Sequence, residues 1–238
     1  MAPSGPSLIP PDVRAVFFDA VGTLIHPDPP AAAVYAEAAR RFGSRLDLPT
    51  VAARFRAAFR RQEEIDHASG LRTDEAREVA RWRAIVAEVL DDVTDPEDCF
   101  AYLYAHFARP SAWRTDPEAA AVLAELRGRG YRLGIASNFD GRLRRVAEGL
   151  PGLAPVEYLV ISSEVGWRKP APAFFLQMCA ECGLPPAEVL LVGDDPVNDH
   201  GGARACGLHA LLYGAVGSEA VPAEARLLRW ADLLPPVR

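Results

Sequence analysis

The stretch Arg14-Ala-Val-Phe-Phe-Asp19-Ala-Val-Gly-Thr23 decides how this chain is read. Four consecutive apolar residues lead into a carboxylate, and glycine and threonine follow almost at once. An unbroken apolar run of this length suits a parallel strand buried on both faces, rather than a half-exposed strand with alternating character. Gly22 and Thr23 end the run, so Asp19 falls at the carboxyl end of the strand, where a loop begins.

Outward from that strand the pattern changes. Residues 30–109 contain no convincing strand. Val79, Trp82, Ile85, Val86, Val89 and Leu90 recur at helical spacing, and Phe55, Phe59 and Ile65 roughly share a face of another helix. Asp95 ahead of Pro96 is a helix start, with a capping side chain before a proline at the first helical position. This block predicts three to four helices. From Thr115 onward strands and helices alternate. Helices open at Asp116-Pro117 and cover most of 141–149, 170–182 and the segment up to Cys206; strands cover 131–137, 157–162 and 189–193, with a last one at 209–213. Alternation of this kind implies a parallel sheet with right-handed crossovers. The expected fold is therefore α/β: a Rossmann-like parallel core formed by residues 1–26 and 110–238, carrying an inserted all-α cap at 27–109.

Four polar clusters fall at the carboxyl ends of expected strands: Asp19-Ala-Val-Gly-Thr23, Ser137-Asn138, Lys169-Pro170, and Gly193-Asp-Asp-Pro-Val-Asn-Asp199. That edge of an open parallel sheet is where ligands bind, and loops distant in sequence converge there. Asp19 and Asp194 are hard oxygen ligands suited to Mg²⁺. Ser137 offers a hydroxyl, with backbone N–H groups near it for an anionic oxygen. Lys169 offers a positive charge against carboxylate and phosphate. A carboxylate nucleophile, a cation and fixed donors together make up the equipment for phosphoryl transfer. Of the 26 basic residues, Lys169 is the only lysine, which marks it as a place where arginine does not serve.

In order and spacing, the stretches FFDAVGTL, IASNFD, SSEVGWRKPAPAFF and LLVGDDPVNDHGGARACGLHALL resemble the four motifs of the haloacid dehalogenase superfamily. The resemblance covers about two thirds of the chain, and the helical insertion is similar to that family's first cap type. The branch it most resembles is that of haloacid dehalogenase-like hydrolase domain-containing protein 3, which implies no particular substrate. The resemblance implies that Asp19 attacks the substrate and binds Mg²⁺, that the backbone carbonyl of Val21 and the carboxylate of Asp194 also bind it, and that Asp199 orients metal-bound water or the lysine. It implies that Thr23 supports the loop, that Ser137 and Asn138 hold the phosphoryl group, and that Lys169 neutralises Asp19 and the phosphoryl oxygens. Asp195 is read as a loop residue or as a ligand acting through water, and Trp167 and Arg168 as candidates for facing the substrate.

One position departs from the family. Its phosphatases carry a second aspartate two residues after the nucleophile, as general acid and base; here Val21 stands, and a valine transfers no proton. Such catalysis is worth ~10² to 10⁴ in rate. His26, close after the loop, is a candidate substitute because histidine titrates near neutrality. Relatives with an apolar or aromatic residue at this place point in other directions. A Schiff-base mechanism needs a cap lysine, which is absent. A 2-haloacid dehalogenase reading fits the first motif and not the acidic fourth. A binding or regulatory protein on a retired catalytic scaffold also remains open.

Composition excludes further classes. The net charge of −6 carries no basic stripe of the kind nucleic-acid binding requires. No run approaches the roughly 18 apolar residues of a membrane helix. Residues 1–11, with three prolines among the first ten, read as a loose tail and not as a signal peptide. Cytoplasm is the default location. Cys99, Cys179, Cys182 and Cys206 are too scattered for a disulfide framework, and the CxxC at 179–182 reads as ordinary reduced helix cysteines. The expected partner is a small phosphorylated molecule, and the expected cofactor is Mg²⁺.

Overall fold

The computed structural model describes residues 8–214 and 221–234. Residues 1–7 of the expected tail lie outside this range. Strand β1 (Ala15–Phe18) is buried along its whole length, as its apolar run requires. Val16 and Phe18 point into one hydrophobic core, and Ala15 and Phe17 into another on the opposite face of the sheet. β1 pairs in parallel with Arg132–Ser137 and with Val189–Gly193, so it is a central strand. Two short strands, Ile25–Pro27 (β2) and Trp113–Thr115 (β3), pair antiparallel apart from the main sheet. Arg132–Ser137 is therefore β4, followed by Tyr158–Ile161 (β5), Val189–Gly193 (β6), His209–Tyr213 (β7) and Arg226–Leu227 (β8). The main sheet runs β5-β4-β1-β6-β7-β8, and every pairing in it is parallel. The chain builds outward from β1 to β4 and β5 on one side, then returns to build β6 and β7 on the other. The strand order thus reverses beside β1, which opens a ligand crevice at that point. β8 adds a strand beyond 209–213, where sequence reading placed the last one.

Between β2 and β3 stand helices α1 (Ala31–Arg41), α2 (Leu48–Ala68), α3 (Glu75–Val89) and α4 (Pro96–His106). They enclose a hydrophobic cluster of their own that includes Val34, Val51, Ile85 and Leu103. Asp47, Asp74 and Asp95 cap α2, α3 and α4 through side-chain bonds to backbone N–H groups, each worth about 1 kcal/mol. Phe55 and Phe59 stack at 6.2 Å between ring centroids. Ile65, expected on the same face, is exposed, because the helix has turned its inner side to Gln62 and Asp66 by then. The core carries α5 (Pro117–Gly128), α6 (Arg142–Glu148), a short α7 (Ser162–Val165) and α8 (Pro172–Cys182).

The helix expected after β6 is not continuous. Residues Pro196–Gly201 form a π-helical turn, and only Gly202–Ala205 (α9) are α-helical. The Asp195 side chain accepts hydrogen bonds from the N–H groups of Val197 and Asn198, and the wider turn lets Asp199 point inward. Single π turns recur at functional sites.

Candidate active site

Asp19 follows β1 directly, and its N–H donates to the Val192 carbonyl at 2.8 Å, which ties the nucleophile candidate to β6. The loop then folds back: the N–H groups of Leu24 and Ile25 both donate to the Ala20 carbonyl at 2.9 Å. Gly22 sits at φ +98°, and a Cβ there would lie 2.3 Å from an Asp194 oxygen. Glycine is needed twice over, for its backbone conformation and for the close approach of the fourth motif. Gly193 is similar in kind, since its Cβ would lie 2.3 Å from Asp199. Thr23 is fully buried, and its hydroxyl is 3.4 Å from Asp194 Oδ1.

Asp19, Asp194 and Asp199 bring one carboxylate oxygen each within 4.8 Å of one another. Lys169 reaches this cluster from the segment before α8. Its Nζ donates to Asp19 Oδ1 at 2.7 Å, to Asp199 Oδ1 at 2.6 Å and to the Ala136 carbonyl at 2.7 Å, which uses all three of its protons. Asn138 holds the lysine's backbone from both sides: its Oδ1 accepts from the Lys169 N–H at 2.7 Å, and its Nδ2 donates to the Lys169 carbonyl at 3.0 Å. Its amide therefore anchors the lysine. Asp195 also serves its loop, capping the π turn and donating its N–H to Asp199 Oδ2 at 3.1 Å.

A cavity of about 380 Å³ lies over this cluster, lined by Asp19, Val21, Ser137, Asn138, Lys169 and Asp194 from the core and by Phe59 and Glu63 from α2. Burial pushes the Asp19 carboxyl upward against the pull of the Lys169 ammonium. Burial, reinforced by the charge of Asp199, lifts Asp194 to about 6. Burial also lifts Asp199 to about 6, Lys169 opposing and Asp19 adding to it. Burial disfavours the charge on Lys169, but the two carboxylates it touches outweigh this and raise its pKa. Three carboxylates against one ammonium leave a surplus of negative charge at a largely buried site. This donor set of hard oxygens around surplus negative charge fits a divalent cation.

His26 is not part of this arrangement. It lies half-buried on β2 opposite Arg114, does not line this cavity, and has a lowered pKa, from burial and then from Arg114. Trp167 stacks under the Arg72 guanidinium, 4.2 Å from ring centroid to Cζ. Arg168 touches the cavity wall, but its guanidinium pairs with Glu78 and with Asp66 of the cap helices. Sequence reading missed Glu63. The carboxyl lies between Arg60-Arg61 and Glu64 on a charge-rich helix, where nothing in the spacing separates it from its solvated neighbours; only the docking of α2 over the sheet edge brings it in. It is half-buried, makes no hydrogen bond or ion pair with another described residue, and is shifted upward, chiefly by burial.

The family profile of haloacid dehalogenase-like hydrolases matches residues 13–207. The chain belongs to that family. This hydrolase is 30% identical over 234 residues to haloacid dehalogenase-like hydrolase domain-containing protein 3 of Homo sapiens, covering 94% of this chain and 93% of the human one. It is 31% identical over 218 residues to a phosphoserine phosphatase of Thermus thermophilus, covering 84% and 88% of the two chains. Its fold is similar to that of a dehalogenase crystal structure, with a TM-score of 0.71 and 19% identity, over 94% of this chain and 97% of the other. No helix among the described residues is long and apolar enough to cross a membrane.

Proposed function

We propose that this hydrolase releases phosphate from a small phosphorylated molecule, with Asp19 as nucleophile and Mg²⁺ as cofactor. The observation that carries the reading is the Lys169 ammonium shared between Asp19 and Asp199, with Asp194 beside them and negative charge to spare. Mg²⁺ would be held by Asp19, the Val21 carbonyl and Asp194, with Asp199 behind them, and would supply positive charge against the phosphoryl oxygens.

The chain's own residues do the rest. Asp19 Oδ attacks phosphorus, the bond to the leaving oxygen breaks, and the electron pair departs with that oxygen. Lys169 fixes the attacking carboxylate and balances its charge. Ser137, buried at the end of β4 and lining the same cavity, would donate its hydroxyl to a phosphoryl oxygen. With Val21 inert, proton transfer falls to Glu63: its acid form protonates the leaving oxygen, and its carboxylate then takes a proton from the water that attacks phosphorus and frees Asp19. The cap at 27–109 closes over the core at 1–26 and 110–238. A cytoplasmic location, and a partner that is neither nucleic acid nor membrane, belong to the same reading.

The test is a panel of phosphorylated metabolites and 2-haloacids, each assayed in Mg²⁺ and in EDTA, with the wild type and Asp19→Asn. Phosphate release that needs both Mg²⁺ and Asp19 supports the reading. Halide release in EDTA replaces it with a dehalogenase. Absence of any turnover, with Mg²⁺ still bound, leaves a retired scaffold.

A further inference from the structure

A second cavity, of about 260 Å³, lies between cap and core beside the acidic one. Val21, Phe59 and Asn138 line both, so the two are neighbouring chambers that share a wall. The second is an aromatic box: Tyr35, Phe55 and Trp82 from the cap helices, with Phe107, Trp113 and Phe139 at the junction with the core. Its rings hold one another edge to face, with Tyr35 and Phe55 at 4.9 Å, Phe107 and Trp113 at 5.9 Å, and Trp113 and Phe139 at 5.9 Å between centroids.

The one charged group on its wall is not free to bind an anion. Arg142 donates from Nε and from Nη2 to the two Asp140 oxygens, each at 2.7 Å, and lays its plane over Tyr104, 3.7 Å from the ring centroid. Protein cores are packed with few voids larger than a water molecule, and an apolar cavity of about 150 Å³ takes up benzene. This ring-lined cleft, open on one side, has more room than that. It fits a neutral apolar body of one or two rings, as does Val21, an apolar residue lining both chambers at the position where the family's phosphatases carry a carboxylate.

We propose that this chamber holds the leaving group, and that the substrate class is phosphomonoesters carrying a ring-sized apolar body close to the phosphate. The proposal rests on the phosphatase reading above and narrows it. Hydroxyl-rich leaving groups, such as sugars, would strand their polar groups among the rings.

The test compares 3-phenylpropyl phosphate with propyl phosphate, which have the same kind of alkoxide leaving group and differ by the ring. The ratio of kcat/KM is expected to favour the phenyl ester by about 10- to 100-fold, the value of burying a phenyl side chain. Ala31→Phe, which fills the chamber from the start of α1, brings the ratio toward unity. Should that variant not fold, competitive inhibition by 3-phenylpropanol, and not by propanol, serves in its place. In parallel, 2-naphthol is titrated in EDTA against the fluorescence of Trp82 and Trp113, both of which line the chamber. The ratio decides where the esters turn over, and the titration decides where they do not. Turnover with a ratio near one overturns the chamber and leaves the phosphatase reading standing. No turnover, with a naphthol signal that Ala31→Phe removes, keeps the apolar chamber but overturns the substrate class, and the metabolite panel above decides the phosphatase reading. No turnover and no naphthol signal rejects the chamber and the substrate class together.

Discussion

Arg168 and Lys169 are adjacent in the chain and nearly equally buried, at 4% and 2% exposure, yet they close two clusters of opposite balance. Lys169 faces the core. It gathers Asp19, Asp199 and the Ala136 carbonyl around one point, in a cluster whose carboxylates outnumber its cations. Arg168 faces the cap. It joins Glu78 of α3 and Asp66 of α2, where Arg77 and Arg81 also converge on Asp66 at 2.6 and 2.9 Å. There the cations outnumber the carboxylates, and Thr73 donates a further bond to Glu78 at 2.7 Å. The two residue types suit the two tasks. A guanidinium fork reaches two helices in two directions, while an ammonium serves three acceptors converging on one small space. The negative cluster is left in need of a cation and is read as the reactive one; the positive cluster satisfies its carboxylates internally and is read as the clasp that seats the cap.

Exchanging the two residue types tests this division most strongly. Lys169→Arg is expected to act chiefly on the chemistry, lowering phosphate release by ~10² or more, since a planar fork does not fit the three-acceptor site. Arg168→Lys is expected to do the reverse: a drop of about 1–3 kcal/mol in unfolding free energy as a buried carboxylate loses its partner, with Mg²⁺ affinity unchanged. Denaturant melts, turnover and Mg²⁺ titration on both proteins settle the matter. A fully active Lys169→Arg protein removes both the role given to Lys169 and the significance of its being the sole lysine.

Glu63→Gln sharpens the contrast between the acidic chamber and its apolar wall. It is expected to slow alkyl phosphates by ~10², because their leaving alkoxide needs a proton. From p-nitrophenyl phosphate the p-nitrophenolate, which departs as a stable anion, should leave almost as fast as before in the first step. Val21→Asp in the Glu63→Gln background should return part of the lost alkyl-phosphate turnover. Equal slowing of the first step for both ester types, read from the initial burst of leaving group, would assign Glu63 to packing instead.

The smallest effect concerns pH. Asp194, lifted to about 6 by burial and by Asp199, must be ionised to hold Mg²⁺. Protons therefore compete with the metal below that value, and apparent Mg²⁺ affinity is expected to fall ~10-fold between pH 7.5 and pH 5. A site of ordinary carboxylates would keep its affinity down to about pH 4. Calorimetric titration at the two pH values checks this, and an unchanged affinity would show that the three carboxylates do not share surplus charge.

The parts of the fold legible in the sequence are those fixed by local pattern. The apolar run into Asp19, the Asp-Pro helix starts and the alternation after Thr115 each report a short-range physical constraint, and all of them led to the parallel sheet with its helical insertion. The π turn at Pro196–Gly201 was hidden because it depends on Asp195 capping and on Asp199 turning inward, which apolar spacing does not encode. β8 is a two-residue strand added at the sheet edge, too short for any periodicity. At the site, the residues on core strand ends were readable because the strands themselves place them. Glu63, the aromatic chamber and the Arg168 clasp arise where the cap helices dock on the core, and no local signal marks them. His26 was suggested by closeness in sequence and by its titration range, and it sits on β2, paired with β3, without lining the acidic cavity.

The most direct measurement of the central claim is the mass of the peptide containing Asp19 after acid quench during turnover of p-nitrophenyl phosphate in Mg²⁺, with the wild type, Glu63→Gln and Asp19→Asn. The expected result is one added phosphoryl group on Asp19. It should be most abundant in Glu63→Gln, where water is no longer activated to remove it, and absent from Asp19→Asn together with all phosphate release. Steady release of p-nitrophenol and phosphate with Asp19 never modified in any of the three proteins would contradict a nucleophilic Asp19.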